Sequence, residues 1–433
     1  MAEENKTNKA WNDILAAHPE IMDTIANGGV YELPASEIKK FREPRLMTKH
    51  DTSEGVPQPL KARGINVLPI SRRSYVLGDF ILHHGFEQVS DIKPVLCSLP
   101  DFETLQADNI TSEANAINAL LAAGILDKFL NTDDNDNTVE TFNGRMGTGD
   151  FDFKVSCMNN NKVRIAVRGA QLEIDGGFEN KDSVIIMEAK NILNDDFHVR
   201  QLYYPYRKYQ ALVKKPIRLV FSQYTNMTYH LYEYRFADLK DYNSLELVQS
   251  GVYTFENQRI TTRDLEDVRK KVRILTSDDK NTTKIPFIQA DKFDRIVSLM
   301  ENLAGVEGNS MTTDEITQFM GTVQRQASYY RAAGEYLGLF DRSTKGRTTL
   351  SARAKKVMKL GKRDRQLAFA EYMFEHEIFN KLFQQTYITG QIPDSNTVIS
   401  LMRELNVCDA DSTVNRRART VISWLRWLLS IAD

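Results

Sequence analysis

QLEIDGGFENKDSVIIMEAKN, residues 171–191, is the stretch from which the fold is read. Alternate side chains of an extended strand share a face, so Glu173 and Asp175 point one way and Leu172 and Ile174 the other. A Gly-Gly turn and the short loop FENKDS follow, and SVIIMEAKN then reads as a mostly apolar strand. On it Ile186, Glu188 and Lys190 share one face, with Ile185, Met187 and Ala189 on the other. Twelve residues separate Asp175 from Glu188, enough for a strand, a turn and the neighbouring strand. Antiparallel pairing would bring Asp175, Glu188 and Lys190 to one sheet edge.

The flanking sequence extends this layer. FDFKVSC, the turn MNNN and KVRIAVRGAQLEIDGG read as a hairpin. Further upstream, a helix is predicted from Ile110, capped by Thr111 or Ser112 and apolar along Ile117, Leu120 and Leu121 as far as Leu130. The acidic loop NTDDNDN (131–137) and the Gly-punctuated NGRMGTGD (143–150) separate it from the hairpin. Downstream, NDDFHVRQLYYPYRKYQAL predicts a helix capped by Asn194 or Asp195, and IRLVFSQYT with MTYHLYEYRF a strand pair. Helix, strands, apolar strand, helix, strand is the order of an α/β fold around a mixed central sheet.

The remainder is mainly helical. DKFDRIVSLMENL, TTDEITQFMG and VQRQASYYRAAGEYLGLF give three helices, and FDRSTKGRTTLS a short hairpin tipped by Lys345-Gly346-Arg347. Three helices with a basic two-stranded wing outline a winged helix. The expected units are an N-terminal region at 1–105, the α/β domain at 106–275, a winged-helix-like domain at 285–360 and a second helix-turn-helix-like unit at 361–433. Trp424 and Trp427, three apart beside Leu428, read as core.

Composition narrows the function. At 433 residues the chain exceeds one ordinary domain, and 42% apolar residues suffice for several cores. No run approaches the roughly 20 apolar residues of a bilayer span, and the polar, acidic N-terminus does not read as a signal peptide. Cys97, Cys157 and Cys408 lie too far apart for a zinc motif or a disulfide framework, which fits a reducing cytoplasm. Net charge is −2, yet from Thr312 onward 18 Lys and Arg stand against 13 Asp and Glu. A basic C-terminal part on an acidic chain points toward a polyanion. Basic residues also recur between Arg42 and Arg73, in a region whose role (reading DNA or dimerising) is open.

Carboxylates and an ammonium beside an apolar strand must pair or hold a cation, because unpaired burial is costly. Mg²⁺ takes a few carboxylates, a carbonyl and retained waters, and a lysine beside it can orient the attacking water or stabilise a phosphorane. Glu-x-Lys alone means little, since Glu37-Ile38-Lys39 repeats it in a helical setting. Read without any relative, 171–191 suits a metal site and a solvated sheet face about equally.

IDGG…VIIMEAKN resembles the PD-(D/E)XK nuclease motif, with Asp175 as first acid and Glu188-Ala189-Lys190 as the (D/E)XK element; Ile174 stands where the motif has proline. The stretch from SEANAINALL (112–121) to HVRQLYYPYR resembles bacterial type II restriction endonucleases over roughly residues 40–250. The resemblance implies a restriction-endonuclease-like fold, with Mg²⁺ (Mn²⁺ substituting) on Asp175, Glu188 and the carbonyl of Ala189, and Lys190 activating water. Glu113 matches an additional acid on the helix before the sheet, or caps that helix. Gln201 partly matches a QxxxY element, with Pro205 where its tyrosine belongs. Glu173 is a further acid on the Asp175 face, or a bystander.

Partner expectations follow. Arg200, Gln201 and Arg207 are candidates for DNA phosphate. Arg325, Gln326, Tyr329 and Arg331 lie near the start of a recognition-type helix, Lys345 and Arg347 on the wing, and Arg416 and Arg417 on the last helix. The reading is a sequence-specific endonuclease for double-stranded DNA, dimeric on its substrate, because two strands need two centres. Its alternatives are a non-catalytic DNA-binding regulator and a defence or repair nuclease for other DNA structures.

Overall fold

The computed structural model describes residues 6–89, 92–133, 136–256, 259–275, 287–342, 346–407 and 411–432. Among them the chain is mixed α/β around a seven-stranded mixed sheet. Its strands run in the order Val95–Leu96, Leu245–Thr254, Thr228–Phe236, Ile217–Thr225, Val184–Lys190, Gln171–Glu179, Val139–Gly147. The lysine-bearing strand Val184–Lys190 lies antiparallel to Gln171–Glu179 and parallel to Ile217–Thr225. Parallel neighbours need a crossover, and helix Arg200–Gln210 supplies it.

Both faces of the lysine strand are covered. Ile186 joins Leu172, Ile174 and Phe221 beneath Leu202, Tyr203 and Tyr204 of the crossover helix. Ile185, Met187 and Ala189 join Val220 and the helix Glu113–Ala122 through Ala116, Ile117 and Leu120. A strand covered on both faces needs a continuous apolar run, which VIIM provides. Each buried Ile or Leu stabilises the fold by about 1.5–3 kcal/mol, so the backbone that carries Glu188 and Lys190 is firmly seated.

Several local expectations are corrected. Gly176-Gly177 is no turn: the strand runs on to Glu179, and the chain reverses where Asn180 Oδ1 accepts the Ser183 amide at 2.8 Å. The glycines answer to packing, since a Cβ on Gly177 would stand 2.2 Å from the Phe142 ring and one on Gly176 2.5 Å from that of Phe178. KVRIAVRGAQLEIDGG splits at Gly169, whose φ of 66° bends the chain. Lys162–Arg168 pairs with Asp150–Ser156 in a separate ribbon, and only Gln171–Glu179 enters the central sheet. Asn194 and Asp195 cap nothing, because Asp196–His198 first pairs with His83–Gly85 and the helix begins at Arg200. Ser112 does cap its helix, accepting the Asn115 amide at 3.1 Å, and Gly124 in the left-handed region breaks that helix before Leu130. Strands Val139–Gly147 and Leu245–Thr254 were not anticipated, and Val95–Leu96 carries the sheet across the boundary expected at 105.

Helices Phe293–Gly305, Thr313–Phe319 and Gln324–Tyr336 pack with an antiparallel three-stranded sheet in which Thr348–Leu350 lies between Ser310–Met311 and Phe340–Arg342. Their core runs on through Phe369, Phe379 and Trp424, so it does not divide at 360. Trp424 and Trp427 are core as expected, their indole N–H groups donating to Ala290 O and Asp294 Oδ1. An N-terminal unit has its own core around Trp11, Ile14, Leu60 and Leu77. Cys97 and Cys157 are buried thiols, while Cys408 lies outside the described residues. Among the described residues, no helix is long and apolar enough to cross a membrane.

Candidate active site

Ladder pairing between the acid strand and the lysine strand stops at Gly176–Met187. Beyond that point a side chain takes over, and Asp175 Oδ2 accepts the Ala189 amide at 2.9 Å. Lys190 Nζ then lies 2.6 Å from Glu188 Oε1, 3.0 Å from the Ala189 carbonyl, 3.6 Å from Asp175 Oδ2 and 3.7 Å from Glu113 Oε1. Glu113 comes from the first turn of the helix packed on the sheet. Its side chain is 45% exposed against 8% for Glu188, so the centre opens to water on the Glu113 side. The structure therefore brings together all four residues expected to be catalytic.

Two further side chains complete the surroundings. Gln201, on the first turn of the crossover helix, donates from Nε2 to Glu188 Oε1, while its own Oε1 is buried without a hydrogen-bond partner. It is thus part of the centre rather than of an outer surface. Tyr203 and Tyr204 are turned into the core onto the carbonyls of Leu239 and Pro69, so neither accompanies it. Asp51, from the N-terminal unit, lies 3.3 Å from Lys49 Nζ, and its carbonyl accepts the His198 amide at 2.9 Å. Sequence reading missed Asp51, because nothing in its local pattern ties it to the distant sheet.

Electrostatics expose a shortage of positive charge. Burial, reinforced by Asp175, outweighs Lys190 and pushes the Glu188 carboxyl up to about 8. Burial opposes the Lys190 ammonium, but Glu113, Glu188 and Asp175 together hold its pKa well above the ordinary lysine value. Glu113, although partly open to water, is raised by lost hydration on its packed side and by Asp175, against the pull of Lys190. For Asp51, burial is overcome by Lys49, Lys190 and Arg200, which hold it low.

A pH dependence follows. An unfolded glutamate ionises near its ordinary value of 4.5, whereas folded Glu188 keeps its proton to about 8. Across that window the folded state binds more protons, so metal-free protein loses stability as pH rises through it. Urea midpoints measured against pH in EDTA should show this fall, and Glu188→Gln, which cannot ionise, should flatten it. Identical profiles for the two proteins would contradict the assignment. Gln201→Ala removes the hold on Glu188 without touching an acid. If the centre is catalytic, turnover should fall about 10–100-fold, and a turnover unchanged from wild type would make Gln201 mere packing.

Do these residues suit a divalent cation? Asp175, Glu188 and the Ala189 carbonyl all reach the point where the Lys190 ammonium sits, so hard oxygen donors converge on one positive charge. Among the described residues, no group of three or more His, Cys, Asp or Glu side chains is arranged to hold a metal ion. Mg²⁺ does not require one, since it is held by one or two carboxylates and keeps its waters. The donor set and the raised Glu188 fit that ion.

The nucleic-acid candidates separate into groups. Arg207 commits Nη1 to Asp152 O, Tyr203 Oη and Leu239 O, with its guanidinium over the Phe151 ring, so that part of the group serves the fold. The Arg200 amide donates to His198 Nδ1, and its guanidinium lies 5.9 Å from the centre of the Tyr204 ring. Arg325 and Arg416 meet over Tyr329, which joins helix Gln324–Tyr336 to helix Asp411–Ser430. Gln326 is exposed, Arg331 pairs with Glu335, and Arg417 is half-buried. Arg347 donates to Ser310 and Glu315; Lys345 lies outside the described residues. Glu173 pairs with Arg145 at 3.0 Å, and no contact ties it to Asp175.

Three family models match successive parts of the chain, at residues 8–77, 78–254 and 295–433. Each is described as a domain of unknown function, DUF6996, DUF6997 and DUF7226 in chain order. The middle match spans Glu113, Asp175, Glu188, Lys190 and Gln201, whereas Asp51 falls in the first. No curated protein and no solved structure matches the chain.

Proposed function

We propose that the chain is a Mg²⁺-dependent endonuclease of the type II restriction kind, hydrolysing phosphodiester bonds in double-stranded DNA. The observation that carries this reading is the convergence of Asp175, Glu188 and Glu113 on Lys190 Nζ at the end of the central sheet. The order of helix Glu113–Ala122, three antiparallel strands, crossover helix and parallel strand supports a restriction-endonuclease-like core. The three helices and three short strands from Phe293 to Leu350 support a winged helix, with Gln324–Tyr336 as its recognition helix.

Asp175, Glu188 and the Ala189 carbonyl would hold Mg²⁺. When bound, the ion neutralises charge on the phosphate under attack and makes a bound water more acidic. Lys190, kept protonated by its three acids, orients the attacking water by donating to it and stabilises the anionic phosphorane. It does not itself take the proton in this state. Gln201 holds Glu188 in place by its amide. Glu113, at the open side, is placed to accept a proton from solvent-side water. DNA would be read by Gln326 with Arg325 and Arg416, with Arg331, Arg347, Arg417 and Arg200 near the backbone, and two copies would cut two strands.

Incubation with a long, sequence-diverse duplex in Mg²⁺ and in EDTA tests the proposal. Discrete fragments that need the metal are expected. Tight DNA binding without cleavage under any divalent metal would instead favour a DNA-binding regulator.

A further inference from the structure

Resting on the nuclease reading, we infer that the cleft between the N-terminal unit and the Thr313–Phe319/Gln324–Tyr336 turn binds the phosphate backbone of the DNA and leads it to the acid–lysine centre. The cleft encloses 350 Å³. Arg42, Arg45 and Lys49 line one wall, and Thr322 and Gln324, at the start of the recognition-type helix, the other. Arg45 and Lys49 are four apart, on and just beyond the short helix Pro44–Thr48, and both are exposed. Arg42 donates one N–H to Thr7 and keeps four for another acceptor. Val323 begins the opposite helix with no side-chain cap, so its first amides also suit an anionic oxygen. Asp314 and Glu315 stand on the far wall, but the Glu315 carboxylate is engaged by the Thr312 amide and Arg347.

The inner end of the cleft is what links it to the chemistry. His50 and Asp51 are among its lining residues. The Asp51 carbonyl holds the His198 amide, three residues before Gln201, which itself holds Glu188. Asp51 Oδ1 is buried without a hydrogen-bond partner, so the junction keeps one unsatisfied acceptor beside the centre. The walls are also preformed. Thr52 Oγ1 donates to Gly321 O, and Arg295, 2% exposed, pairs with Glu54 at 2.7 Å. Gly55 approaches so closely that a Cβ there would lie 2.7 Å from Gly321 O. A cleft whose walls are already joined spends little entropy on ordering when a polyanion enters.

The test measures binding in a Lys190→Ala background, in EDTA, so that no cleavage is needed. Anisotropy of a labelled duplex is followed across a salt series. Arg42→Ala/Arg45→Ala should weaken binding at least about 10-fold and lower the slope of log K against log salt by about 2, near 0.9 per lost phosphate contact. Arg42→Lys/Arg45→Lys should recover most of the slope. Lys355→Ala/Lys356→Ala removes the same charge from an exposed helix elsewhere and should change little. Arg45→Glu, a single exposed change, serves if the double variant does not fold, and should weaken binding likewise. Affinity and slope equal to those of the Lys355/Lys356 control would overturn the inference alone. A parent that binds no duplex DNA would overturn the nuclease reading with it.

Discussion

If the chain is the proposed nuclease, replacing Lys190 by alanine is expected to lower DNA cleavage about 10²–10⁴-fold while leaving duplex binding intact. The ammonium is the one group in contact with all three acids and with the Ala189 carbonyl. Without it the attacking water loses its donor and the phosphorane its nearest positive charge. Arginine should not rescue, because a planar guanidinium cannot occupy the point where those oxygens converge. Glu188→Gln should be as damaging for a different reason: it keeps the shape and the Gln201 contact but cannot ionise to hold Mg²⁺ as a carboxylate. Single-turnover cleavage of a duplex with a mapped site separates these effects from binding. Wild-type fragment yields from Lys190→Ala would remove this site from the reaction.

The second large effect concerns stability and lies outside the site. Glu301 and Arg365 form a buried pair at 3.0 Å, with side chains 6% and 1% exposed. Glu301 Oε2 also accepts the Asn226 amide at the tip of the Ile217–Phe236 hairpin, and Arg365 donates to Met358 O and to Asp108 O. One ion pair thus ties the central sheet, the segment before helix Glu113–Ala122 and the C-terminal helices. Glu301→Ala leaves a guanidinium buried without its counter-charge, at a cost of about 3–5 kcal/mol. Adding Arg365→Met should recover much of this, since the penalty comes from the orphaned charge. Urea denaturation checks both, and a single-variant loss below about 1 kcal/mol would show that water reaches the pair.

Much of the catalytic layer was legible from local chemistry. Asp175, Glu188 and Lys190 could be brought together on paper because strand side chains repeat every two residues and a short connection forces the strands to be neighbours. Ser112 announced its helix, and the VIIM run announced a strand covered on both faces. The misreadings have a common origin. Gly176-Gly177 looked like a turn because glycine permits one, but the demand came from the rings of Phe142 and Phe178. Arg207 looked wholly available because arginine usually is, but Asp152, Tyr203 and Leu239 occupy its Nη1.

The sequence by itself determined the α/β class, the acid–lysine strand pair and the helical C-terminal half, because backbone periodicity and chain connectivity act over a few residues. Only the tertiary structure decided that Glu113 and Gln201 face Glu188 and Lys190, that Asp51 borders the same centre, and that the N-terminal unit lines a cleft with Arg42, Arg45 and Lys49. These contacts join residues far apart in the chain. Their energies come from burial and charge fields, which depend on distance in space and leave no period in the sequence.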